Sequence, residues 1–401
     1  MNINQKSDKE FQISNDKNEI SFWLIEDQTI CIYDFDIDVN NISDIIDIIK
    51  LLEYFVLKNN FIRIDIAATP NRKSLEFWTS VNYQYSNFEE DENVIIEILK
   101  LTDKNKVYDN DSGVIMLHKT LSELKEESFL NKVYNKDILN ILKTLPSNSI
   151  DMAYGDPDYN VGINYAGNNY SKKWNDYIDW YIELTKESLR ILKPTGNLFM
   201  INYPKQNAYL RVKYLDEAAY DVQDYVWVYN TNVGHSPRRF TTAHRSILHA
   251  TKSKDNNFYK ENVAQPYKNP TDKRILKRIA DGNTGRMPYS WFYFDLVKNV
   301  SKDKTFHSCQ IPLGLVEILI KSCTLPEDDV FILFGGSGSE IILCKQLKRN
   351  YISCEIHKEY YNMILDRIKN NGHIRQEFRL DFIKEKNQIN DNNKTTIFDF
   401  I

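Results

Sequence analysis

The sequence predicts an α/β protein with a doubly wound, mostly parallel sheet, a smaller α/β domain in front of it and an inserted region late in the chain. Three observations predict this class. Short apolar segments alternate with amphipathic helical segments from residue 113 to about residue 374, as in sheets whose parallel strands are joined by crossover helices. Two of these strands run into loops rich in glycine or proline, and a basic stretch at about 253–306 interrupts the alternation.

The composition is that of a globular protein. Of 401 residues, 42% are hydrophobic and 27% are charged, which excludes a disordered or collagen-like chain. The polar start lacks the apolar core of a secretory signal, and no uncharged apolar stretch of about 18 residues is present to span a membrane. The five cysteines have no CxxC spacing, which disfavours a disulfide framework or a zinc ribbon. We therefore expect a soluble, cytoplasmic protein with no membrane partner.

Residues 1–112 predict a separate acidic α/β domain, with a polar linker at 103–113. We expect strands at 20–24, 29–35, 61–67 and 94–101, and helices at 42–56 and 74–81. The stretch 60–85, with Asn71 at a helix start, the Phe77–Trp78 pair and Tyr83, resembles the second half of a GNAT-type acetyltransferase fold. No glycine-rich loop for the pyrophosphate of coenzyme A precedes it, so we expect a structural or partner-binding domain without catalysis.

Charge is divided unevenly along the chain. Residues 1–112 hold 11 Lys and Arg against 22 Asp and Glu, a net charge of −11, whereas residues 235–305 hold 15 against 6, a net charge of +9. A compact basic block in an acidic protein indicates an anionic partner at one place, and nucleic acid is the leading candidate. A solvated lysine-rich surface remains the alternative at this point.

The first chemically informative loop is at 150–160, IDMAYGDPDYN. An apolar strand runs into Gly155 and ends at Asp156-Pro157, because proline cannot donate to a sheet ladder. A carboxylate, a fixed carbonyl and the ring of Tyr159 are thereby placed beyond the carboxyl end of a strand, where open α/β sheets bind ligands. Taken alone, the segment also fits a polar turn with a helix-capping aspartate.

The second loop is at 329–340, DVFILFGGSGSE. An apolar strand meets a glycine-rich turn, a helix follows, and the next strand carries Glu355, 20 positions after Gly335. Glycines let the backbone approach a ligand, and an acid at this distance can accept the hydroxyl groups of a ribose. The GxGxxG pattern is absent, which disfavours a nicotinamide-dependent oxidoreductase.

Together the two loops resemble those of the β-class DNA amino-methyltransferases, in which the catalytic loop precedes the cofactor loop. DPDYN at 156–160 matches the DPPYN motif of that family, FGGSG at 334–338 matches its FxGSG loop, and Glu355 stands at its ribose acid. Further similarity lies at 136–146, 192–196, 238–244 and 307–312. The resemblance implies S-adenosyl-L-methionine as cofactor, double-stranded DNA as partner and an exocyclic amine as target. Aspartate at the first motif position implies adenine N6 over cytosine N4.

The resemblance also implies roles for individual residues. The exocyclic amine is a poor nucleophile, and two acceptors on its N–H groups, the Asp156 carboxylate and the Pro157 carbonyl, favour its attack on a methyl group. Tyr159 would stack on a base extruded from the duplex. The implied catalytic residues are Asp156, Pro157, Asp158 and Tyr159; the implied cofactor residues are Asp137, His307, Gln310, Pro312, Phe334, Gly335, Gly336, Ser337, Gly338 and Glu355.

Three departures from the family pattern keep alternatives open. Asp158 replaces the second proline, Ile332 stands where an acid is expected to meet the cofactor's ammonium group, and Ile311 stands where a lysine is usual. Asp158 could partly replace the missing acid. These departures favour a catalytically silent DNA-binding subunit as one alternative. Methylation of cytosine N4, or of RNA, is another.

The basic block falls where the β-class order has its target-recognition region, at about 253–306. Lys273, Arg274, Lys277 and Arg278 recur at helical spacing, and with Arg238 and Arg239 they are the expected DNA contacts. Aromatic residues are interleaved with these cations, namely Tyr259, Tyr267, Tyr289, Trp291 and Tyr293. They could fill an intercalation gap or stack on a displaced base, but for most of them core packing is the expectation. His244 and His249 stand five apart with no third ligand at suitable spacing, so we expect no metal. A homodimer and a restriction partner protein rest on the resemblance alone.

Overall fold

The computed structural model describes most of the chain. The described residues are 2–6, 10–14, 19–25, 28–33, 42–59, 61–85, 89–108, 114–162, 164–165, 168–169, 171–230, 238, 240–283, 285–297, 304–381 and 383. They divide into two compact units: Met1–Phe129 with Leu145–Ser149, and Leu130–Thr144 with Ile150–Ile401. Arg239 and the Asn-rich stretch near the carboxyl end lie outside the described residues.

The first unit contains a seven-stranded mixed sheet in the order β1-β2-β3-β4-β5-β7-β6. Its strands are β1 Asn2–Gln5, β2 Glu10–Ser14, β3 Glu19–Ile25, β4 Thr29–Tyr33, β5 Arg63–Ala68, β6 Gln84–Tyr85 and β7 Ile115–Thr120, and its helices are α1 Ile42–Lys58, α2 Arg72–Ser80, α3 Glu89–Lys100 and α4 Leu121–Glu127. Asn71 caps α2 by accepting the Ser74 N–H at 2.8 Å, as the sequence predicts.

One predicted element of this unit is wrong. The strand expected at 94–101 is instead the second half of helix α3. The apolar residues Ile95 and Ile98 are three apart and buried, a helical spacing that a search for apolar runs takes for a strand. Strand β5 pairs instead with β7, which follows residue 113 and runs antiparallel to β5.

The second unit contains an eight-stranded sheet in the order β15-β13-β14-β12-β9-β16-β17-β8. Its elements, in chain order, are β8 Lys132–Tyr134, α5 Ile138–Leu142, β9 Ile150–Gly155, β10 Asn164–Tyr165, β11 Asn168–Asn169, α6 Trp174–Ile191, β12 Leu192–Asn202, α7 Pro204–Leu210, α8 Asp216–Ala218, β13 Asp221–Val228, β14 His244–Thr251, α9 Lys273–Ala280, β15 Trp291–Tyr293, α10 Leu313–Cys323, β16 Asp329–Ile332, α11 Ser339–Gln346, β17 Asn350–Cys354 and α12 Lys358–Lys369.

The centre of this sheet is parallel, and among its described strands β14 alone runs against its neighbours, β12 and β13. Strand β9 is buried along its whole length, as expected for a parallel strand covered on both faces. The fold is thus the predicted doubly wound α/β class. Because β9 and β16 are adjacent and parallel, the loops that follow them leave the sheet at the same edge. None of the described helices has both the length and the apolar character of a membrane span.

Candidate active site

The loop after β9 is held close to its neighbouring strands. A Cβ added to Gly155 would lie 2.8 Å from the Met200 sulfur on β12 and 3.4 Å from a Leu333 methyl group beyond β16. A side chain at 155 would therefore force at least the Met200 side chain to move. Asp156 leaves the sheet directly after this close contact.

Side chains from α6 and α7 fix the backbone of the same loop. The Tyr177 hydroxyl donates to the Asp158 carbonyl at 2.7 Å, and the Gln206 amide donates to the Tyr159 carbonyl at 2.6 Å. Asn160 adopts a left-handed conformation with φ of 56°, and its side-chain oxygen accepts the Lys172 N–H at 2.7 Å. The loop geometry is thus set by partners distant in sequence.

Tyr159 points inward, towards Asp156. Its hydroxyl donates to Asp156 Oδ1 at 2.5 Å, and its ring packs edge-on against Tyr203 at 5.3 Å between centroids. The residue is 2% exposed. A base can stack on this ring, as the sequence implies, only after the ring has been uncovered.

Asp156 has a strongly perturbed pKa. Burial raises the pKa of Asp156 to about 7, while the Tyr159 hydrogen bond and the positive charge of Arg245 lower it and the charge of Asp158 raises it. Near neutral pH this carboxyl is therefore balanced between its charged and neutral forms. A group poised in this way is typical of functional sites.

The glycine turn between β16 and α11 is shaped by its surroundings. Gly336 and Gly338 adopt positive φ values of 51° and 75°, which L residues rarely do. A Cβ at Gly335 would lie 2.7 Å from an Ile364 methyl group on α12. Only glycine fits at these positions without rearrangement, and the turn exposes backbone to the space in front of it.

Glu355 is tied directly to this turn. Its Oε2 accepts the Gly336 N–H at 2.9 Å and its Oε1 accepts the His357 N–H at 2.8 Å. Burial nevertheless raises the pKa of Glu355 to about 7. The backbone hydrogen bonds hold the carboxylate at the end of β17, where the sequence predicts the ribose acid.

Both loops line one pocket. Asp156 and Asp158 come from the first loop, the glycine turn supplies one wall and Glu355 another. The predicted site residues that line it are Asp137, Asp156, Asp158, His307, Gln310, Phe334, Gly335, Gly336, Ser337 and Glu355. Pro157, Tyr159, Pro312 and Gly338 are not among the lining residues. Pro312 lines a neighbouring cavity.

Several pocket residues were missed at the sequence level. Tyr177 and Trp180 on α6 line the pocket, and Lys172 Nζ lies 4.6 Å from the Trp180 ring centroid. Glu340 in the first turn of α11 also faces the pocket. The aromatic pair at i, i+3 was a possible signal for α6. The acid after the glycine turn carries no motif of its own.

A second group missed at the sequence level surrounds Arg245 on β14. Its guanidinium carbon lies 3.7 Å from the Tyr203 ring centroid, 5.0 Å from that of Tyr159 and 5.2 Å from that of Tyr229. Its Nη2 donates to the Tyr203 hydroxyl at 2.9 Å. The cation therefore packs against the same ring that contacts Asp156.

The structure shows the surroundings of the three residues that depart from the family pattern. Ile311 is 3% and Ile332 1% exposed, so both replace charge with apolar core packing. Asp158 lines the pocket, its Oδ1 is buried without a hydrogen-bond partner among the described residues, and burial raises its pKa. This geometry does not assign the role of the missing acid to Asp158, and that role stays a prediction.

Comparison with known proteins identifies the family of this site. The sequence profile of the family described as DNA methylase, of the N6/N4 type, matches residues 150–366. This segment spans both loops and more than half of the chain. The chain belongs to the N6/N4 DNA methylase family. Membership confirms the predicted family and its methyl donor, S-adenosyl-L-methionine.

Individual methylases show the same extent of similarity. The type II methyltransferase M.HpaI of Haemophilus parainfluenzae is 30% identical over 229 residues, covering 57% of this chain and 70% of that protein. M.BglII of Bacillus subtilis is 27% identical and covers 58% and 68%. The solved structure of the PvuII DNA methyltransferase (cytosine-N4-specific) is 20% identical, with a TM-score of 0.45 and coverage of 59% and 85%.

The predicted DNA-contacting cations that the structure describes are exposed. All four predicted cations at 273–278 are exposed on helix α9, and Arg238 is exposed as well. The expectation of core packing is wrong for three aromatic residues at 289–293. Tyr289, Trp291 and Tyr293 are 53%, 54% and 51% exposed. Trp291 and Tyr293 occupy alternate positions of β15, whose middle residue Phe292 is buried, so both point to the solvent side of the strand.

Of the two histidines considered as a metal-binding pair, His249 is packed in the protein core. His249 stacks on Phe199, its Nε2 lies 2.9 Å from Asn197 Oδ1, and burial lowers the pKa of His249 to about 4. It is a neutral core residue. Within the described part of the methylase, no group of three or more His, Cys, Asp or Glu side chains is arranged to hold a metal ion.

Proposed function

We propose that this protein methylates double-stranded DNA, transferring a methyl group from S-adenosyl-L-methionine to N6 of an adenine extruded from the duplex. One observation carries the proposal: the Asp156 loop and the glycine turn, far apart in sequence, line the same pocket. Aspartate at position 156 supports adenine over cytosine by family resemblance. A relative from Escherichia coli, 24% identical over 251 residues, is named DNA adenine methyltransferase YhdJ.

The residues of the pocket fit the proposed cofactor. Acidic side chains outnumber lysines among the described lining residues, which include Asp137, Asp156, Asp158, Glu340, Glu355, Lys136 and Lys172. A sulfonium compound with an ammonium group and one carboxylate carries a net positive charge, which an acidic pocket favours. The glycine turn would allow the cofactor to approach the backbone closely, and the Glu355 carboxylate could accept hydrogen bonds from the ribose hydroxyl groups.

The chain's own residues would then act on the target amine. Asp156 accepts one N–H of the amine and the Pro157 carbonyl accepts the other, which directs the nitrogen lone pair towards the methyl group. The bound cofactor supplies an electrophilic methyl group on its sulfonium. The C–S bond breaks as the C–N bond forms, and the nitrogen then loses one proton. Asp156, with its pKa of about 7, is suited to hold that proton before it passes to solvent.

A direct assay tests this function. Unmethylated duplex DNA is incubated with the protein and isotope-labelled S-adenosyl-L-methionine, and the digested nucleosides are analysed by mass spectrometry. We expect labelled N6-methyladenine. Labelled N4-methylcytosine would show that the target is cytosine and not adenine. In a parallel assay with an RNA substrate, labelled methylated nucleosides would show that the protein acts on RNA. DNA binding without any transfer would support the silent subunit instead.

An Asp156→Asn variant tests the role of the carboxylate, because it preserves the size of the side chain while removing its charge. We expect transfer to fall by about 100-fold or more, the usual loss for a group that stabilises the transition state. Cofactor binding should change far less. Full transfer by this variant would contradict the assigned role. The acidic first unit, a homodimer and a restriction partner protein remain separate predictions that this assay leaves aside.

A further inference from the structure

Glu340 is a buried carboxylate that the sequence motifs do not use. It lies in the first turn of α11, directly after the glycine turn, and is 6% exposed. It nevertheless lines the pocket. Isolated buried carboxylates are costly, since the charge loses its hydration, so a residue of this kind calls for a positively charged or hydrogen-bonding partner.

The other acids of the pocket already have hydrogen-bond donors. Asp137 accepts the Leu139 N–H at 2.9 Å, Asp156 accepts the Tyr159 hydroxyl, and Glu355 accepts two backbone N–H groups. Asp158 accepts backbone N–H groups from the two residues that follow it, although its Oδ1 has no partner among the described residues. For Glu340 the structure shows a hydrogen bond from its own backbone N–H, so among the described residues much of the acceptor capacity of this carboxylate remains available.

Glu340 lines the same pocket as Asp156, the proposed catalytic carboxyl. Burial raises the pKa of Glu340 to about 7, the charge of Asp156 raises it further and Arg367 lowers it. Arg367 donates its hydrogen bonds to the Ser337 carbonyl and, at 3.1 Å, to Ser339 Oγ. The nearby cation, Arg367, is thus hydrogen-bonded to the glycine turn and to the first residue of α11.

Glu340 also lies beside the position where an acid is missing. Burial raises the pKa of Tyr154, and the charge of Glu340 raises it further. Tyr154 on β9 pairs directly with Ile332 on β16. The Tyr154 hydroxyl is buried without a hydrogen-bond partner among the described residues. Glu340 and Leu333, the residue that follows Ile332, line the same pocket, so an acid from α11 is present at the end of the pocket where β16 supplies only apolar residues.

We propose that Glu340 binds the ammonium group of the methionine moiety of S-adenosyl-L-methionine, in place of the acid absent at position 332. This inference rests on the proposed function, because it assumes that cofactor in this pocket. Glu340 would supply the same negative charge as the absent acid, but from helix α11 after the glycine turn and not from the end of β16. Asp158, the candidate that the sequence suggests, is the rival that the experiment must exclude.

Calorimetric binding to the full chain without DNA tests the assignment with three probes. S-adenosyl-L-methionine has both the ammonium and the sulfonium, S-adenosylhomocysteine has only the ammonium, and 5′-methylthioadenosine has neither. For Glu340→Gln we expect binding of the first two probes to weaken by about 10-fold or more, as for other charge-assisted hydrogen bonds. Binding of 5′-methylthioadenosine should be unchanged. Glu317→Gln, which removes a half-buried acid that is paired with Lys321 and does not line the pocket, is the control for loss of charge alone.

Several results would overturn the inference. Equal weakening of all three probes would indicate structural damage to the pocket. Weakening of S-adenosyl-L-methionine alone would assign Glu340 to the sulfonium, and the selective pattern in Asp158→Asn but not in Glu340→Gln would assign the ammonium to Asp158. If Glu340→Gln does not fold, Glu340→Asp keeps the charge but shortens its reach, and it should show the same selectivity with a smaller loss. Failure of the unmodified protein to bind any probe would instead refute the proposed function.

Discussion

The hydroxyl group of Tyr159 donates a hydrogen bond of 2.5 Å to the carboxylate of Asp156. In this structure one acceptor atom of the proposed catalytic group is therefore occupied by a neighbour in the same loop. The target amine would have to replace that hydroxyl or use the second carboxylate oxygen. The contact also stabilises the charged form of Asp156, which gives it a measurable effect on the pH dependence of the reaction.

Tyr159→Phe should move the acidic limb of the pH–rate profile to higher pH. Burial raises the pKa of Asp156 to about 7, and the Tyr159 hydrogen bond opposes that rise. Without the hydroxyl the pKa rises further, so the charged acceptor is lost at a higher pH as the solution is acidified. The profile of kcat/KM measures the shift, with the exposed Tyr220→Phe as control. An acidic limb that stays in place or moves to lower pH would contradict the prediction.

Arg245 should act on the same carboxyl through its charge. Arg245→Met removes a cation that lowers the pKa of Asp156, so the acidic limb should again move to higher pH. Arg245→Lys keeps the charge but not the planar packing on Tyr203 and Tyr159. We therefore expect this variant to keep the acidic limb and to lower the melting temperature. Identical profiles for the two variants would show that charge is not the relevant property.

The four cations of α9 should contribute to the salt dependence of DNA binding. Replacing Lys273, Arg274, Lys277 and Arg278 by glutamine should reduce the slope of log K against log salt by about 0.9 for each phosphate that the helix no longer neutralises. Fluorescence anisotropy with labelled duplex at several salt concentrations gives the slope. Neutralising the exposed Lys100, Lys104 and Lys106 of the first unit is the matched control. An unchanged slope in the α9 variant would exclude the helix from the interface.

The aromatic row at 289–293 should bind unstacked bases. Tyr289 and Trp291 stack with ring centroids 6.1 Å apart, and Arg286 lies 4.7 Å from the Tyr289 centroid. Exposed aromatic residues beside a cation suit base stacking. Trp291→Ala should weaken binding to DNA with an unpaired base by about 5-fold or more, since each stacked base contributes about 1–3 kcal/mol. Equal affinity of the variant and the unmodified protein would exclude this contact, and unchanged thermal stability would show that the fold is intact.

Local patterns were sufficient to predict most elements and both loops. The run of apolar residues in β9, the glycines after β16 and the capping residue Asn71 each express a preference that acts over a few positions. Helix α3 was mistaken for a strand because its buried residues lie close together in sequence. The exposure of Trp291 could not be predicted, since it depends on which face of β15 the rest of the fold covers.

The chain by itself determined the family, the order of the two loops and the residue types at their tips, because these follow from motifs and from short-range conformational preferences. Only the tertiary structure decided which side chains share the pocket. Burial of Asp156 raises its pKa and the charge of Arg245 on β14 lowers it. Tyr177 on α6 holds the neighbouring Asp158 carbonyl, and Glu340 on α11 lines the same pocket. Burial and long-range proximity arise when the sheet assembles, so no local pattern encodes them.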